Sequence, residues 1–232
     1  MIIRGIEACS FIDYPKKISC VLFTELCSFD CFYCHNRQLL EKGAAVINEQ
    51  ELKQFLFKRK KMLDAVVISG GEPTLHTDLA QLLRFCKSLG YATKVDTNGS
   101  NPVHIQRLLD EGLLSYVALD IKASAQKYRS ISGGEAGEVL STLKCLHEYY
   151  KSSSAFSYEI RTTLAPGIDI QELLAIAQSV PLVPKWTLNL YRLPSLYKNT
   201  DRLRVHAKAL NKEQVEKFIP LLQKFQPRVC IS

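Results

Sequence analysis

Short apolar, β-branched runs alternate along this chain with longer stretches in which apolar positions recur every three or four residues. The first pattern predicts strands over 18–24, 65–69, 92–96, 116–121, 156–163 and 185–190. The second predicts helices over 49–61, 78–89, 103–111, 138–150, 169–179 and 212–225. Gly90 and Gly112 follow two of these helices, where a left-handed residue ends a helix well, and Asn48 three residues before Glu51 fits a capping box. Repeated strand–helix units imply right-handed crossovers and a parallel sheet. Six units fall short of a closed eight-fold barrel, so an open partial barrel and a doubly wound sheet both fit. No boundary divides the chain. One long irregular stretch, 123–137, is polar, contains Gly133-Gly134, and reads as a mobile lid or a plain long loop.

In parallel α/β folds, function gathers at the C-terminal ends of the strands. After the first strand here comes Cys27, and the second runs into Ser69-Gly70-Gly71-Glu72-Pro73. The third ends in Asp96-Thr97-Asn98-Gly99 and the fourth holds Asp120 and Lys122. The fifth carries Arg161-Thr162-Thr163, and the sixth leads to Asn189, Tyr191 and Arg192. Six strand ends delivering polar groups to one rim argue for a single large site.

Composition narrows the setting. The 232 residues are 47% hydrophobic and lack a long apolar run, which predicts one globular domain and no membrane span. The N-terminus has no basic segment followed by an apolar core, so a cytoplasmic protein is expected, and there cysteines serve metal or redox chemistry more often than disulfides. Of the eight cysteines, Cys9, Cys20, Cys86, Cys145 and Cys230 are scattered and read as small buried hydrophobes. The net charge of +7 is dispersed, and its densest run, Lys58-Arg59-Lys60-Lys61, sits at a helix end, so no nucleic-acid partner is expected.

The remaining three cysteines lie close together in Cys27-Ser-Phe-Asp-Cys31-Phe-Tyr-Cys34-His35-Asn36. Structural zinc with His35 as fourth ligand is one reading, but adjacent Cys34 and His35 would strain to reach one ion. Covalent haem at Cys31-Phe-Tyr-Cys34-His35 is a second, and it leaves Cys27 unexplained. A cubane iron–sulfur cluster with one iron left open is the third. With this spacing and an aromatic before the last cysteine, the sequence resembles the radical S-adenosylmethionine (SAM) superfamily.

That resemblance implies a partial (β/α)6 TIM-like barrel and one [4Fe-4S] cluster on Cys27, Cys31 and Cys34. The open iron would take the methionine end of SAM, and an electron would release a 5′-deoxyadenosyl radical that abstracts hydrogen. Ser69, Gly70, Gly71 and Glu72 look like the motif for the SAM amino group, although Ile-Ser-Gly-Gly-Glu recurs at 131–135 in what reads as a flexible loop. The pairing of Asp96-Thr97-Asn98-Gly99 with Leu119-Asp120-Ile121-Lys122 is similar to the activating enzymes of glycyl-radical enzymes. It implies a monovalent cation at Asp96, Thr97 and Asp120. The residues taken by themselves also allow a structural ion pair of Lys122 with one aspartate. Tyr33, Asp96, Asn98, Lys122, Arg161 and Tyr191 would border SAM.

The opening segment and the Tyr-Cys-His-Asn run look most like anaerobic ribonucleoside-triphosphate reductase activating proteins. Two positions depart: Lys16 and Leu26 stand where those proteins usually carry glycine. Beyond about residue 194 the similarity fades into a C-terminal helical segment near 205–226. The implied partners are a glycyl-radical enzyme and a reducing donor such as flavodoxin or ferredoxin, with Arg192, Lys198, Arg202, Arg204 and Lys208 available near the entrance. A radical SAM enzyme acting on a small molecule or nucleotide, like a 7-deazaguanine synthase, is the nearest alternative. A non-catalytic cysteine–metal protein is the more distant one.

Overall fold

A computed structural model describes residues 1–40 and 46–232. One eight-stranded sheet follows the chain in sequence order: β1 (Ile3–Ser10), β2 (Ser19–Thr24), β3 (Ala65–Gly70), β4 (Ala92–Thr97), β5 (Tyr116–Asp120), β6 (Ser157–Thr163), β7 (Trp186–Asn189) and β8 (Val229–Ile231). β1 runs antiparallel to β2, and every later pair is parallel. The crossovers carry α1 (Glu49–Arg59), α2 (Leu79–Ser88), α3 (Pro102–Asp110), α4 (Tyr128–Ser132), α5 (Ala136–Ser152) and α6 (Ile170–Ser179). Two more helices, α7 (Arg202–Val205) and α8 (Lys212–Leu222), precede β8. The end strands β1 and β8 are not neighbours, so the α/β sheet stays open as a partial barrel.

Strand alternation decides the two faces. Val66, Ile68, Val95, Val117, Leu119 and Ile160 join Leu56, Leu83, Ile105, Val139 and Ile176 from the helices in one continuous core. The residues between them, Val21, Ala65, Val67 and Tyr116, form a smaller cluster capped by Tyr14. Tyr14 comes from the β1–β2 connection and packs 5.8 Å from the Tyr116 ring. Above this plug the same face turns polar.

The six predicted strands are β2 to β7. β1 and β8 were not predicted: β1 mixes Arg4 and Glu7 with its apolar residues, and β8 is only three residues long. The stretch 123–137 is no bare loop, because it contains α4, whose Tyr128, Ile131 and Ser132 are buried. The second Ile-Ser-Gly-Gly-Glu copy closes that helix, with Gly133 in the left-handed region as its cap. Asn48 caps α1 by accepting from the Gln50 N–H, and the capping box instead forms at Asn211 and Gln214 of α8. Cys20 and Cys86 are buried as expected, Cys145 and Cys230 are partly so, and Cys9 is exposed.

Two non-glycine residues among those described have positive φ: Lys16 at 60° and Leu26 at 64°. These are the two positions where the sequence departs from glycine. A side chain in the left-handed region costs roughly 1–2 kcal/mol, partly offset by the greater freedom that glycine loses on folding. Leu26 is also exposed, so little burial compensates. Leu26→Gly is therefore expected to stabilise the fold by about 0.5–1 kcal/mol, read as a higher urea midpoint. A lower midpoint would mean that the leucine side chain contributes more than its backbone costs.

Candidate active site

The three clustered cysteines sit on the connection that leaves β2. That connection lies directly on the turn after β3. The Gly71 N–H donates to the Thr24 carbonyl at 2.9 Å, and the Glu72 N–H donates to the Leu26 carbonyl at 2.7 Å. A Cβ on Gly71 would stand 1.7 Å from the Leu26 oxygen, so no other residue fits there. The opposite side of the loop is clamped by charge. Arg37 donates to the Asp30 carboxylate at 3.0 Å and to the Cys31 carbonyl at 2.8 Å. Lys198 pairs with the other oxygen of Asp30, and the Asp30 N–H donates to the Ser132 carbonyl at 3.0 Å. The Arg204 guanidinium stands 4.0 Å over the Phe32 ring.

Behind this loop is a cavity of about 200 Å³. Cys27, Cys31, Tyr33 and Cys34 face it with Ser69, Gly70 and Gly71, while β4 contributes Asp96, Thr97 and the adjoining Asn98. β5 adds Asp120 and the following Lys122, and β6 adds Arg161 and Thr163. Burial pushes the Cys27 thiol up and the Cys31 thiol up to about 11, which favours the neutral form of both. The Asn98 side-chain amide donates to Cys27 Sγ at 3.5 Å and to Ser28 Oγ at 3.0 Å.

The charged residues form a chain of alternating sign. Lys94 Nζ lies 3.0 Å from Asp96 Oδ1. Arg161 donates from Nη1 to Asp96 Oδ2 at 3.2 Å and from Nε to Asp120 Oδ1 at 3.1 Å. Lys122 Nζ donates to Asp120 Oδ2 at 3.1 Å. Register explains the reach: Asp120 is paired with Arg161, and small Ala118 lies between Asp96 and Glu159 on the strand that Arg161 must cross. Burial tends to push the Asp120 carboxyl up, but Lys122 and Arg161 outweigh it and hold it below the usual range. The expected ion pair of Lys122 with one aspartate is present, and the space between the two aspartates holds a guanidinium.

Two predicted SAM contacts lie outside the cavity. Glu72 is fully buried beneath it: Oε1 accepts from the Thr74 N–H, the Thr74 hydroxyl and the Thr97 hydroxyl, and Oε2 accepts from the Asn98 N–H. Burial raises its pKa, and those donors partly offset the rise. Glu72 thus shapes the 97–99 turn from below. Tyr191 turns away and donates to the Val205 carbonyl at 2.7 Å. Conversely, Phe29, Asn36 and Thr163 line the cavity without having been singled out as ligand contacts, and His35, weighed as a zinc ligand, lines it too. Asn36 had a signal, being next to the cysteine run, and its amide donates to the Gly70 carbonyl at 3.1 Å.

Among the described residues, no three His, Cys, Asp or Glu side chains are gathered as they would be around a single ion. The donor set instead fits a larger group that three thiolates hold from one side. The Tyr33 hydroxyl is buried there without a hydrogen-bond partner. The model of the radical SAM superfamily matches residues 21–180.

The chain belongs to the radical SAM superfamily. It is 37% identical over 187 residues to the Methanocaldococcus jannaschii protein named "Putative glycyl-radical enzyme activating enzyme MJ1227", covering 77% of this chain and 75% of that one. It is 28% identical to the pyruvate formate-lyase-activating enzyme of Clostridium pasteurianum, covering 93% and 94%. Among solved structures, SuiB of Streptococcus suis bound to S-adenosylmethionine superposes with a TM-score of 0.66 at 13% identity, over 91% of this chain and 51% of SuiB. TYW1 with a lysine–pyruvate adduct superposes with a TM-score of 0.60 at 22% identity, over 90% and 73%. These likenesses in shape bear out the partial barrel. The chain is an enzyme of the radical SAM class.

Two predictions concern this radical SAM site. Glu72→Gln places an NH2 group against a main-chain N–H, of either Asn98 or Thr74, whichever way the amide is turned. It should destabilise the protein by roughly 1–3 kcal/mol in urea unfolding, and an unchanged midpoint would contradict the buried network. Asp120, with its folded pKa below the unfolded value of about 3.9, contributes stability that is complete above that value. That contribution is lost as the pH falls through the folded pKa. Asp120→Asn should therefore flatten the decline of the urea midpoint between about pH 5 and about pH 3, and a decline as steep as wild type would refute it.

Proposed function

We propose that this chain is an activase that installs a glycyl radical on a partner enzyme, with anaerobic ribonucleotide reductase as the first candidate partner. The observation that carries the proposal is the placement of three thiols on one wall of a cavity whose other walls are glycine backbone, Lys122 and Arg161. Its similarity to activating enzymes supports the reaction class. Cys27, Cys31 and Cys34 would hold a [4Fe-4S] cluster, as thiolates do. Ser69, Gly70, Gly71, Asn98, Lys122 and Arg161 would border SAM, with Tyr33 beside them. Glu72 acts by holding Thr97 and Asn98 in place. When bound, the cluster and SAM supply a 5′-deoxyadenosyl radical able to take hydrogen from a backbone glycine.

The protein's own part is to bind, orient and keep water out. Lys122 offers an ammonium to a carboxylate, and burial, countered by Asp120 beside it, leaves its pKa well above the usual lysine value. A monovalent cation beside Asp96 is left out of this reading, because Arg161 already bridges the two aspartates. The whole chain serves as one radical SAM unit in a cytoplasmic setting, reduced by a flavodoxin or ferredoxin. No helix among the described residues is long and apolar enough to cross a membrane.

Anaerobic reconstitution should give brown protein with about four irons per chain. Reduced with dithionite, it should cleave SAM to 5′-deoxyadenosine, and Cys34→Ala should lose both properties. With the correct partner present, a glycyl doublet should appear in electron paramagnetic resonance. Zinc uptake without iron would end the proposal. Brisk SAM cleavage with no doublet from any candidate partner would move the reaction to the small-molecule class.

A further inference from the structure

Asp96 and Asp120 invite a cation, but their charge is already met. All four carboxylate oxygens face a cationic side chain: Lys94 at 3.0 Å, Arg161 at 3.2 and 3.1 Å, and Lys122 at 3.1 Å. The third predicted ligand is engaged as well, since the Thr97 hydroxyl donates to Glu72 at 2.7 Å and accepts from the Gly99 N–H at 3.0 Å. Lys94, Arg161 and Lys122 set three positive charges against the two aspartates. Glu159, which also acts on Arg161, is paired with Lys185 at 2.8 Å. The surplus would repel a sodium or potassium ion. To enter, the ion would have to displace the guanidinium and strand it, half-buried, without its partners. Lys94 is buried to 2% exposure and donates from Nζ to the Asp13 carbonyl, which fixes its charge beside Asp96. Its contact with Asp96 Oδ1 is an ion pair, that oxygen accepting no hydrogen bond, while the other oxygen accepts from Arg161.

We propose that Arg161, with Lys94 as a positioning residue behind Asp96, is a built-in cation that replaces a soluble monovalent ion in this chain. SAM binding is then independent of sodium and potassium. Arginine suits the task, because it stays charged at every working pH and its planar fork can bridge two carboxylates. The proposal departs from what the resemblance to activating enzymes implies, and only its SAM arm rests on the activase reading.

The test has two arms. In the first, cofactor-free protein is melted in potassium, sodium or tetramethylammonium chloride at equal ionic strength. Wild type should melt at one temperature in all three salts. Arg161→Met leaves two carboxylates facing each other, and it should melt several degrees higher in potassium or sodium than in tetramethylammonium, because an ion that binds only the folded state stabilises it. In the second arm, reconstituted wild type should bind SAM in equilibrium dialysis with dissociation constants within about two-fold across the salts. A wild-type melting temperature several degrees higher in potassium than in tetramethylammonium overturns the proposal, and so does SAM affinity about ten-fold tighter in potassium. These wild-type comparisons decide the matter even if Arg161→Met fails to fold. Protein that binds no SAM in any salt sinks the activase reading, while the melting arm still decides the built-in cation.

Discussion

Burying charge in a barrel is tolerable only where each charge has a partner, and this fold meets the requirement with a line of five. Lys94, Asp96, Arg161, Asp120 and Lys122 alternate in sign across β4, β5 and β6, each touching the next at 3.0–3.2 Å. Removing an inner member would strand two neighbours, so the line behaves as a unit. It also orients the cavity. Lys122 and Arg161 keep their cationic groups at the cavity wall because the aspartates hold them there, which leaves the polar wall opposite the thiols positively charged.

The cysteine wall depends on a different kind of contact. Its backbone lies on that of the β3 turn, closer than any side chain at Gly71 permits. That closeness brings Glu72 under the floor, where its two oxygens collect the donors of Thr74, Thr97 and Asn98. Asn98 in turn reaches Cys27. The motifs after β2, β3 and β4 are therefore one assembly joined by hydrogen bonds. The strain at Leu26 falls where this assembly turns from the strand into the loop.

Much of this was legible from residue order. β2, β3, β5 and β7 are rich in apolar or β-branched residues, and β4 and β6 keep Thr93, Val95, Tyr158 and Ile160 in alternation with polar positions. β1 did not stand out, since an edge strand needs no continuous apolar face and polar Arg4 and Glu7 interrupt it. The cavity residues were legible wherever a polar motif followed a strong strand, as with Asp96, Asp120 and Arg161. What residue order did not show was pairing. Asp96 and Asp120 read equally well as cation ligands until Arg161, from two strands away, is seen to span them. Lys94 looked like an ordinary strand lysine, because only the folded sheet reveals that its side chain is buried. Glu72 and Tyr191 stand at the right places in the chain, but their side chains turn elsewhere, one drawn by backbone donors and the other by the Val205 carbonyl.

The clamp on the cysteine loop joins residues far apart in the chain: Asp30 is held by Lys198, and Phe32 lies under Arg204. A nascent chain emerging from the ribosome presents its three thiols long before either basic residue has been made. Until then the loop has its β3 anchor and its Arg37 bonds, while its outer face stays uncovered. The native loop is thus finished by a residue 168 positions further along the chain. A chain truncated before residue 198 would expose its thiols to oxidation with that side of the loop unguarded.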